Sequence, residues 1–270
     1  MPGATMSEPT VTEQMRPLLE RPDPISLKQL SPLTLLDRMD TKFVINTEQL
    51  GEALAASIDQ YKILEINGVR PGRYVTTYFD TPDFAMYFAH HNGERYRYKL
   101  RCRSYLDSEM AFVEVKMKTN KERMVKYRRP VAQHLQTLDD LDRSWLPSTF
   151  PYQLEDMRAV VWNRFRRFTL AHFENEERLT IDLDIEFGSG SATVQYTGLA
   201  VIEIKQTKFS MLRSPLAREL HRLHVQPRSL SKFCIAAAHF YPGFKSNNFK
   251  PLLLYLSRHF PLRGSLERHS

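Results

Sequence analysis

Cysteine and glycine are both scarce in this sequence. Its 270 residues include 2 cysteines, Cys102 and Cys234, and 10 glycines. Two cysteines cannot build a disulfide framework, so we expect reduced thiols and a cytoplasmic protein. The segment Gly188-Ser-Gly190 lacks the spacing of a glycine-rich phosphate loop, which argues against a P-loop or Rossmann nucleotide site.

Long apolar runs and zinc-ligand patterns are missing too. No stretch approaches the about 20 consecutive apolar residues of a membrane helix, so we expect no membrane span. The first 24 residues have no basic start followed by an apolar core, unlike a signal peptide. His90-His91 and the pair His221 and His224 have no Cys or further His at zinc-ligand spacing, so we interpret them as surface or capping residues.

Positive charge is abundant, and it is concentrated in one region. The chain carries 38 Lys or Arg against 31 Asp or Glu, a net charge of +7. Between Arg95 and Arg129 there are 12 basic and 4 acidic residues, so this window has a net charge of +8 and the remainder has −1. A local excess of this kind indicates a site for an anion.

Hydrophobic periodicity predicts an α+β fold. Apolar and polar residues alternate in nine segments that we predict to be strands, namely 37–45, 61–66, 73–80, 95–105, 110–118, 122–129, 158–170, 178–187 and 199–206. Helical patterns occur at 47–59, 83–91, 133–157 (broken near Pro147 and Pro151), 212–224 and 232–240. Eight or nine strands, mostly at hairpin spacing, favour one antiparallel sheet or barrel flanked by helices. Residues 1–28 have several prolines and no periodicity, so we expect a flexible arm.

The segment from Arg95 to Arg103 indicates where the charges point. Side chains of a strand alternate between faces, so its five basic residues, all at odd positions, share one face. The opposite face carries Tyr96, Tyr98, Leu100 and Cys102. The tyrosines are therefore predicted to be core residues, which argues against base stacking in a nucleic-acid groove. The same separation of charged from apolar residues recurs around Lys42, Glu114, Lys126 and Glu203, and along Arg178, Asp182, Asp184 and Glu186.

Six charged strand faces are typical of an enclosed anion site rather than of a solvated surface. A dozen cations held together in a reduced dielectric repel one another unless an anion lies among them. Rows of planar guanidinium groups suit phosphate oxygens. The sparse carboxylates on the same faces would then bind a hard divalent cation that bridges those phosphates.

Eight short motifs occur in an order that resembles a known family. They are Asp40-Thr-Lys42-Phe-Val, Thr77-Tyr-Phe-Asp80-Thr, Lys99-Leu-Arg101-Cys-Arg103, Val113-Glu-Val-Lys116, Lys126-Tyr-Arg128, Arg178-Leu-Thr-Ile-Asp182, Ile202-Glu203-Ile-Lys205 and Ser231-Lys232-Phe. Over about residues 25–245 the chain resembles the VTC (vacuolar transporter chaperone) polyphosphate polymerase domain, a branch of the triphosphate tunnel metalloenzymes related to CYTH proteins. The resemblance implies an antiparallel eight-stranded β-barrel that forms a tunnel and is flanked by helices. We therefore predict a tunnel domain at 29–245 and a C-terminal extension at 246–270.

The resemblance also implies an activity and a set of site residues. Family members transfer the γ-phosphate of ATP to a growing inorganic polyphosphate chain, so ATP and polyphosphate or triphosphate are the expected partners. The expected cofactor is a divalent metal, Mn²⁺ or Mg²⁺, with Glu203 as its ligand. Phosphate would be bound by Lys42, Arg101, Arg103, Lys116, Lys126, Arg128, Arg167, Arg178, Lys205, Ser231 and Lys232. Of these, Lys42, Arg101 and Arg103 would position the reacting groups, and Arg164 or Arg166 is the alternative to Arg167.

One departure from the hydrolases of this superfamily bears on the reaction. Where CYTH hydrolases have alternating glutamates and a lysine, this chain has Arg38-Met-Asp40-Thr-Lys42, so an arginine replaces one carboxylate. This replacement favours phosphoryl transfer over two-metal hydrolysis. A triphosphatase in the same tunnel and a non-catalytic polyphosphate-binding module are the alternatives. Glu203 argues against the latter, because a protein that merely binds anions needs no carboxylate there.

Overall fold

The computed structural model describes residues 10–33, 39–118, 124–138, 141–207 and 210–265. In chain order its elements are α1 (Val11–Leu19), β1 (Pro24–Ile25), α2 (Leu27–Leu30), β2 (Met39–Asn46), α3 (Thr47–Ser57), β3 (Lys62–Leu64), β4 (Gly72–Asp80), α4 (Ala85–His91), β5 (Arg97–Tyr105), β6 (Met110–Lys118), β7 (Met124–Val131), β8 (Arg158–His172), β9 (Glu177–Ser189), β10 (Ala192–Tyr196), β11 (Leu199–Gln206), α5 (Pro215–Arg222), α6 (Lys232–Phe240), α7 (Lys250–His259) and β12 (Leu262–Ser265). All nine predicted strands are confirmed, as are the predicted helices that correspond to α3, α4, α5 and α6. The predicted strands 37–45 and 122–129 begin with residues 37, 38, 122 and 123, which lie outside the described residues. Arg38 is one of them.

The strands belong to one mainly antiparallel sheet of twelve strands, which confirms the α+β class. Its main path runs β12-β10-β9-β8-β4-β5-β6-β7, and β11 joins β9 to β2. Within the described part of the chain this path has two ends, so the predicted closed barrel of eight strands is not confirmed. The strands that were not predicted are short: β1, β10 and β12 have 2, 5 and 4 residues. A period of two is hard to recognise over so few residues.

The chain divides into two compact units, and the first comprises residues 1–71, 166–184 and 198–229. Its hydrophobic core lies between three helices, α1, α3 and α5, and one face of β2, β9 and β11. Phe43 and Ile45 of β2 point into this core, as do Ile202 and Ile204 of β11. Because strand side chains alternate, Lys42 and Glu203, which are next to these core residues along their strands, are directed to the opposite face.

Helix α1 shows that the prediction of a flexible arm is wrong for residues 11–19. Thr10 and Glu13 form a capping box at its N-terminus, and Val11, Met15 and Leu19 are buried in the core at a spacing of four residues. Pro17 lies inside the helix, which hides the helical pattern in the sequence. A helix of this length is stable through tertiary packing rather than through its own propensity, so local composition could not reveal it.

The second unit comprises residues 72–165, 185–197 and 230–270. Its core lies on the apolar face of β5 and β6, where Leu100 and Val113 pack against Leu138, Phe150 and Leu154. The helix predicted at 133–157 is wrong, since the described residues of that segment form turns and bends. Its apolar residues pack one by one against the sheet. Pro147 and Pro151 interrupt any continuous helix.

The C-terminal residues add to the second unit. Strand β12 pairs with β10, with Tyr196 opposite Leu262 and Thr193 opposite Ser265. Helix α7 precedes it, and Leu256 of that helix is fully buried. The boundary at residue 245 stays a prediction, but the described residues after it, 246–265, form α7 and β12 and continue the sheet. No helix in the described part of the chain is both long and apolar enough to cross a membrane.

Candidate functional site: two charged strand faces

The two faces predicted for β5 are confirmed. Arg101 and Arg103 are 8% and 7% exposed on one face, while Tyr98 and Leu100 belong to the hydrophobic core on the other. The prediction that Tyr96 is a core residue is wrong, because it precedes β5 and is 53% exposed. Since both arginines are more than nine-tenths buried, their face of the strand differs from an ordinary solvated surface.

Strand register places lysines from three strands side by side. Lys99 of β5 is directly opposite Lys116 of β6, and Lys116 is directly opposite Lys126 of β7. Directly opposite residues share a face, with Cβ atoms about 4.5–5.5 Å apart, and like charges there destabilise the sheet. We call Lys99, Lys116 and Lys126 the lysine row. A bound polyanion would remove its repulsion.

Glu114 is the counter-ion in the next row of the same three strands. It lies opposite Arg101 on one side and Arg128 on the other. Its fully buried carboxylate accepts hydrogen bonds from Arg101 Nε at 2.8 Å and Nη2 at 2.5 Å, and it also contacts Lys126 Nζ. Burial raises the pKa of Glu114, but the charges of Arg101, Lys126 and Arg103 outweigh burial and lower it to about 2. Glu114 is therefore an ionised group held by cations.

Arg103 and Lys232 flank one aromatic ring. The guanidinium carbon of Arg103 is 5.7 Å from the ring centre of Phe165, and Lys232 Nζ is 4.6 Å from the same centre. Arg103 Nε also donates a hydrogen bond to Thr76 Oγ1 at 3.0 Å. Cations over an aromatic face are attracted to its negative side, so the ring positions both charges without neutralising them.

The N-terminus of α6 lies beside the lysine row. Ser231 Oγ caps the helix by accepting a hydrogen bond from the backbone N of Cys234, and it accepts another from Lys99 Nζ at 2.9 Å. Lys232 is the first residue of the helix. Because helix N-termini favour anions, the position of the predicted residues Ser231 and Lys232 suits an anion such as phosphate.

Glu203 lies between two lysines in the first unit. It is directly opposite Lys42 of β2, and its Oε1 is 3.4 Å from Lys42 Nζ and 2.8 Å from Lys205 Nζ. Burial raises the pKa of Glu203, but the charges of Lys205, Lys42 and Arg167 lower it well below its ordinary value. The carboxylate is therefore ionised and available as an oxygen ligand.

Arg167, rather than either alternative, is the arginine of β8 that joins this face. It donates two hydrogen bonds to Asp182, at 2.5 and 2.8 Å, and its side chain is 17% exposed. The side chains of Arg164 and Arg166 are 62% and 40% exposed, and they pair with other carboxylates. Arg178 of β9 is directly opposite Lys205.

Asp184 and Glu186 do not share the face of Asp182, so that prediction is wrong. The backbone at Asp184 has a φ of 51°, which interrupts the extended alternation of β9. Its carboxylate instead accepts hydrogen bonds from the backbone N of Val11 at 2.9 Å and of Thr12 at 3.3 Å, at the start of α1. Glu186 pairs with the exposed Arg164.

The predicted site residues thus fall into two groups, each within one unit. The first unit holds Lys42, Arg167, Arg178, Glu203 and Lys205, and the second holds Arg101, Arg103, Lys116, Lys126, Arg128, Ser231 and Lys232. Four further residues, which are not among the predicted site residues, lie on or beside these faces: Glu114, Lys99, Tyr78 and Asn163. Lys99 and Glu114 belong to the same strand alternation as residues that were named, which is the signal that identifies them.

The donor set around Glu203 fits a divalent cation that is bound together with phosphate. Mg²⁺ in proteins is typically held by one or two carboxylates, substrate phosphates and water. Glu203 supplies one ionised carboxylate, with lysines on both sides that favour the phosphate. In the described part of the chain, no group of three or more His, Cys, Asp or Glu could hold a metal ion. A metal here therefore depends on phosphate oxygens for its remaining ligands.

Comparison with known families identifies the chain. Residues 37–241 match the family model of the VTC domain. This chain belongs to the VTC domain family. The match covers more than half of the sequence and confirms the resemblance inferred from the eight motifs. No curated protein sequence matches this VTC domain significantly.

The solved structures to which this VTC domain is similar are distant from it. A putative adenylate cyclase from Vibrio parahaemolyticus is 13% identical, with a TM-score of 0.45, and the match covers 74% of this chain and 98% of that one. The PH1819 protein of Pyrococcus horikoshii OT3 is 13% identical, with a TM-score of 0.44 and coverages of 73% and 97%. A putative adenylate cyclase from Bacillus halodurans is 11% identical, with a TM-score of 0.41 and coverages of 72% and 95%. At these scores the structural likeness carries no functional argument.

Tripolyphosphate should stabilise this VTC domain against heat, because an anion removes the repulsion within the lysine row. We expect the melting temperature to rise with tripolyphosphate concentration, as mass action requires for a ligand of the folded state. The shift should shrink as NaCl is raised from about 0.05 to 0.5 M, because salt screens the attraction. Thermal denaturation at several concentrations checks this. A melting temperature that does not respond to tripolyphosphate at low salt would contradict the phosphate site.

Proposed function

We propose that this VTC domain is a polyphosphate polymerase that transfers the γ-phosphate of ATP to a growing inorganic polyphosphate chain. The observation that carries the proposal is the lysine row, in which like charges from three adjacent strands lie directly opposite one another. Glu114 offsets part of the repulsion through its contact with Lys126, and a ligand of high negative charge density would offset more of it. A phosphate chain supplies that charge at a regular spacing. The enclosed tunnel implied by the family stays a prediction.

The chain's own residues supply positioning and charge neutralisation. Phosphoryl transfer passes through a loose transition state, with charge spread over the equatorial oxygens, so the protein needs no covalent chemistry. Arg101 and Arg103 offer planar forks of N–H donors to phosphate oxygens, and the lysine row adds point charges. Because Glu114 already binds Arg101 on one side, the fork of that arginine is held in a fixed orientation.

In the first unit, Glu203 would hold a divalent metal ion, Mn²⁺ or Mg²⁺, together with phosphate oxygens. When bound, such an ion neutralises charge that develops on the transferred phosphoryl group. Lys42 and Lys205 keep Glu203 ionised and would accept the phosphate that accompanies the metal. A carboxylate in a cationic group favours an enzyme over a module that merely binds polyphosphate.

A product assay tests the proposal directly. The purified protein is incubated with ATP and Mn²⁺, and the products are separated by length on a gel that resolves polyphosphate. We expect long-chain polyphosphate and ADP. A double variant, Lys116→Met with Lys126→Met, should lower chain synthesis. The control Lys62→Met, which removes a half-exposed lysine of β3 paired with Asp23, should not.

The products also separate the alternatives. Free phosphate without chains would identify a triphosphatase and contradict the polymerase. Binding of tripolyphosphate with neither product would identify a polyphosphate-binding module. If tripolyphosphate does not bind at all, the phosphate site itself is wrong.

A further inference from the structure

Asn163 is a buried polar side chain whose amide makes no hydrogen bond of normal geometry among the described residues. It lies in β8 with 0% of its surface exposed, and neither Oδ1 nor Nδ2 has a hydrogen-bond partner in the described part of the chain. Leaving an amide buried and unsatisfied costs free energy, so native proteins keep such groups rare. A missing ligand is one physical reason for retaining it.

The strand pattern places Asn163 on the face where the cations of the second unit lie. Asn163 and Phe165 are two residues apart in β8, so their side chains point to the same face. The ring of Phe165 is the one that Arg103 and Lys232 flank. Asn163 is therefore adjacent to the aromatic ring that positions two of the phosphate-binding candidates.

Tyr78 connects Asn163 with the arginines. It is directly opposite Arg101, and its ring stacks on Phe233 of α6 at 5.3 Å. Burial raises the pKa of the Tyr78 phenol, but the charges of Arg101 and Arg103, together with the side chain of Asn163, lower it overall. The phenol thus lies beside the amide and beside both cations at once.

We propose that Asn163 is a substrate-binding residue that donates an amide N–H to a phosphoryl oxygen, with Tyr78 orienting the amide. The inference rests on the proposed function, because it takes the ligand to be a phosphate chain. One Nδ2 hydrogen can be donated to the Tyr78 hydroxyl oxygen, which orients the amide and leaves the second Nδ2 hydrogen for the ligand. Arginine and lysine attract a phosphate from many directions. A neutral amide adds a directional bond without adding charge, so it helps to fix where one phosphoryl group sits.

The test uses an apolar variant of similar size, Asn163→Leu, and a matched control. Thr12 is also fully buried, and its Oγ1 also has no hydrogen-bond partner among the described residues, but it lies in α1 at the hydrophobic core of the first unit. We expect Asn163→Leu to weaken tripolyphosphate binding by about tenfold, the loss of one charge-assisted hydrogen bond. Thr12→Val should leave that affinity unchanged. The melting temperature of free Thr12→Val should equal or exceed that of the wild type, because an unsatisfied polar group has been removed.

A second variant keeps the inference testable if leucine does not fit. Asn163→Asp has the same shape, but its carboxylate repels phosphate, so we expect weaker tripolyphosphate binding than in Asn163→Leu. Its free form should be stabilised, since the carboxylate gains the nearby cations. Wild-type affinity in either variant would overturn the inference, as would unchanged affinity with a lowered melting temperature, which marks a purely structural role. Failure of the wild type to bind tripolyphosphate would instead contradict the proposed function.

Discussion

Glu203→Gln is expected to lower ATP turnover with Mn²⁺ by about a hundredfold or more, because metal ions contribute several kcal/mol of charge stabilisation to the transition state. Glutamine keeps the shape of the side chain but removes the charge that a hard divalent cation requires. Tripolyphosphate binding measured without metal should persist or tighten, since Lys42 and Lys205 lose their internal counter-ion. Turnover is measured over a Mn²⁺ titration, and tripolyphosphate affinity by calorimetry.

The control for this experiment is Glu219→Gln, which removes a carboxylate that pairs with Arg222 on the half-exposed surface of α5. Glu219→Gln should leave both the Mn²⁺-dependent ATP turnover and the tripolyphosphate affinity unchanged. If Glu203→Gln keeps full Mn²⁺-dependent turnover, the metal assignment is wrong. If it loses tripolyphosphate binding as well, the variant has damaged the phosphate site, and Glu203 acts through structure rather than as a metal ligand.

Glu114→Gln should destabilise the free protein by about 3 kcal/mol, the order of magnitude for removing one partner of a buried ion pair. Arg101 and Lys126 then lose the carboxylate that they contact. For a chain of this size the melting temperature should fall by about 5–10 °C in low-salt, phosphate-free buffer. Tripolyphosphate should restore much of the loss, because it replaces the missing negative charge, and it should bind the variant more tightly than the wild type.

The Glu114 carboxylate also makes the stability of the folded protein depend on pH. The pKa of Glu114 is lowered to about 2 in the folded protein from 4.5, so its contribution to stability is complete above about pH 5 and is lost as the pH falls toward 2. Wild-type stability should therefore decline over this range, and Glu114→Gln should lack that part of the decline. Glu186→Gln, at a pair with the exposed Arg164, should change stability by less than about 1 kcal/mol. A Glu114→Gln variant as stable as the wild type at pH 7 without anion would contradict the counter-ion role.

Much of the candidate site could be predicted because it rests on strand alternation. The odd-numbered residues from Arg97 to Arg103 share a face by backbone geometry alone, and the apolar residues between them form the core as expected. The order of the motifs indicates the family from the sequence alone, and the family model confirms it. The same rule of alternation failed at Asp184, where a positive φ turns the strand and directs the carboxylate to α1.

Errors in the fold have a common physical cause. Residues 11–19 and the described residues of 133–157 take their conformation from the surfaces they cover, so composition and local periodicity mislead. Short strands such as β10 and β12 exist because a neighbouring strand offers hydrogen bonds, and the sequence within them contains little pattern. Local propensity is a weak determinant whenever tertiary contacts supply most of the free energy.

By itself the sequence determined the α+β class, the charged and apolar faces of most long strands, and the family. These depend on residues that are near one another along the chain, and backbone geometry relates such residues directly. The tertiary structure alone decided which charges meet across strands. The lysine row and the burial of Glu114 among three cations depend on the register of three consecutive strands, and the buried amide of Asn163 depends on how β8 packs. Register is set by packing over the whole sheet, because the hydrogen bonds and side-chain pairs of all neighbouring strands must form together. No single segment of the sequence encodes it.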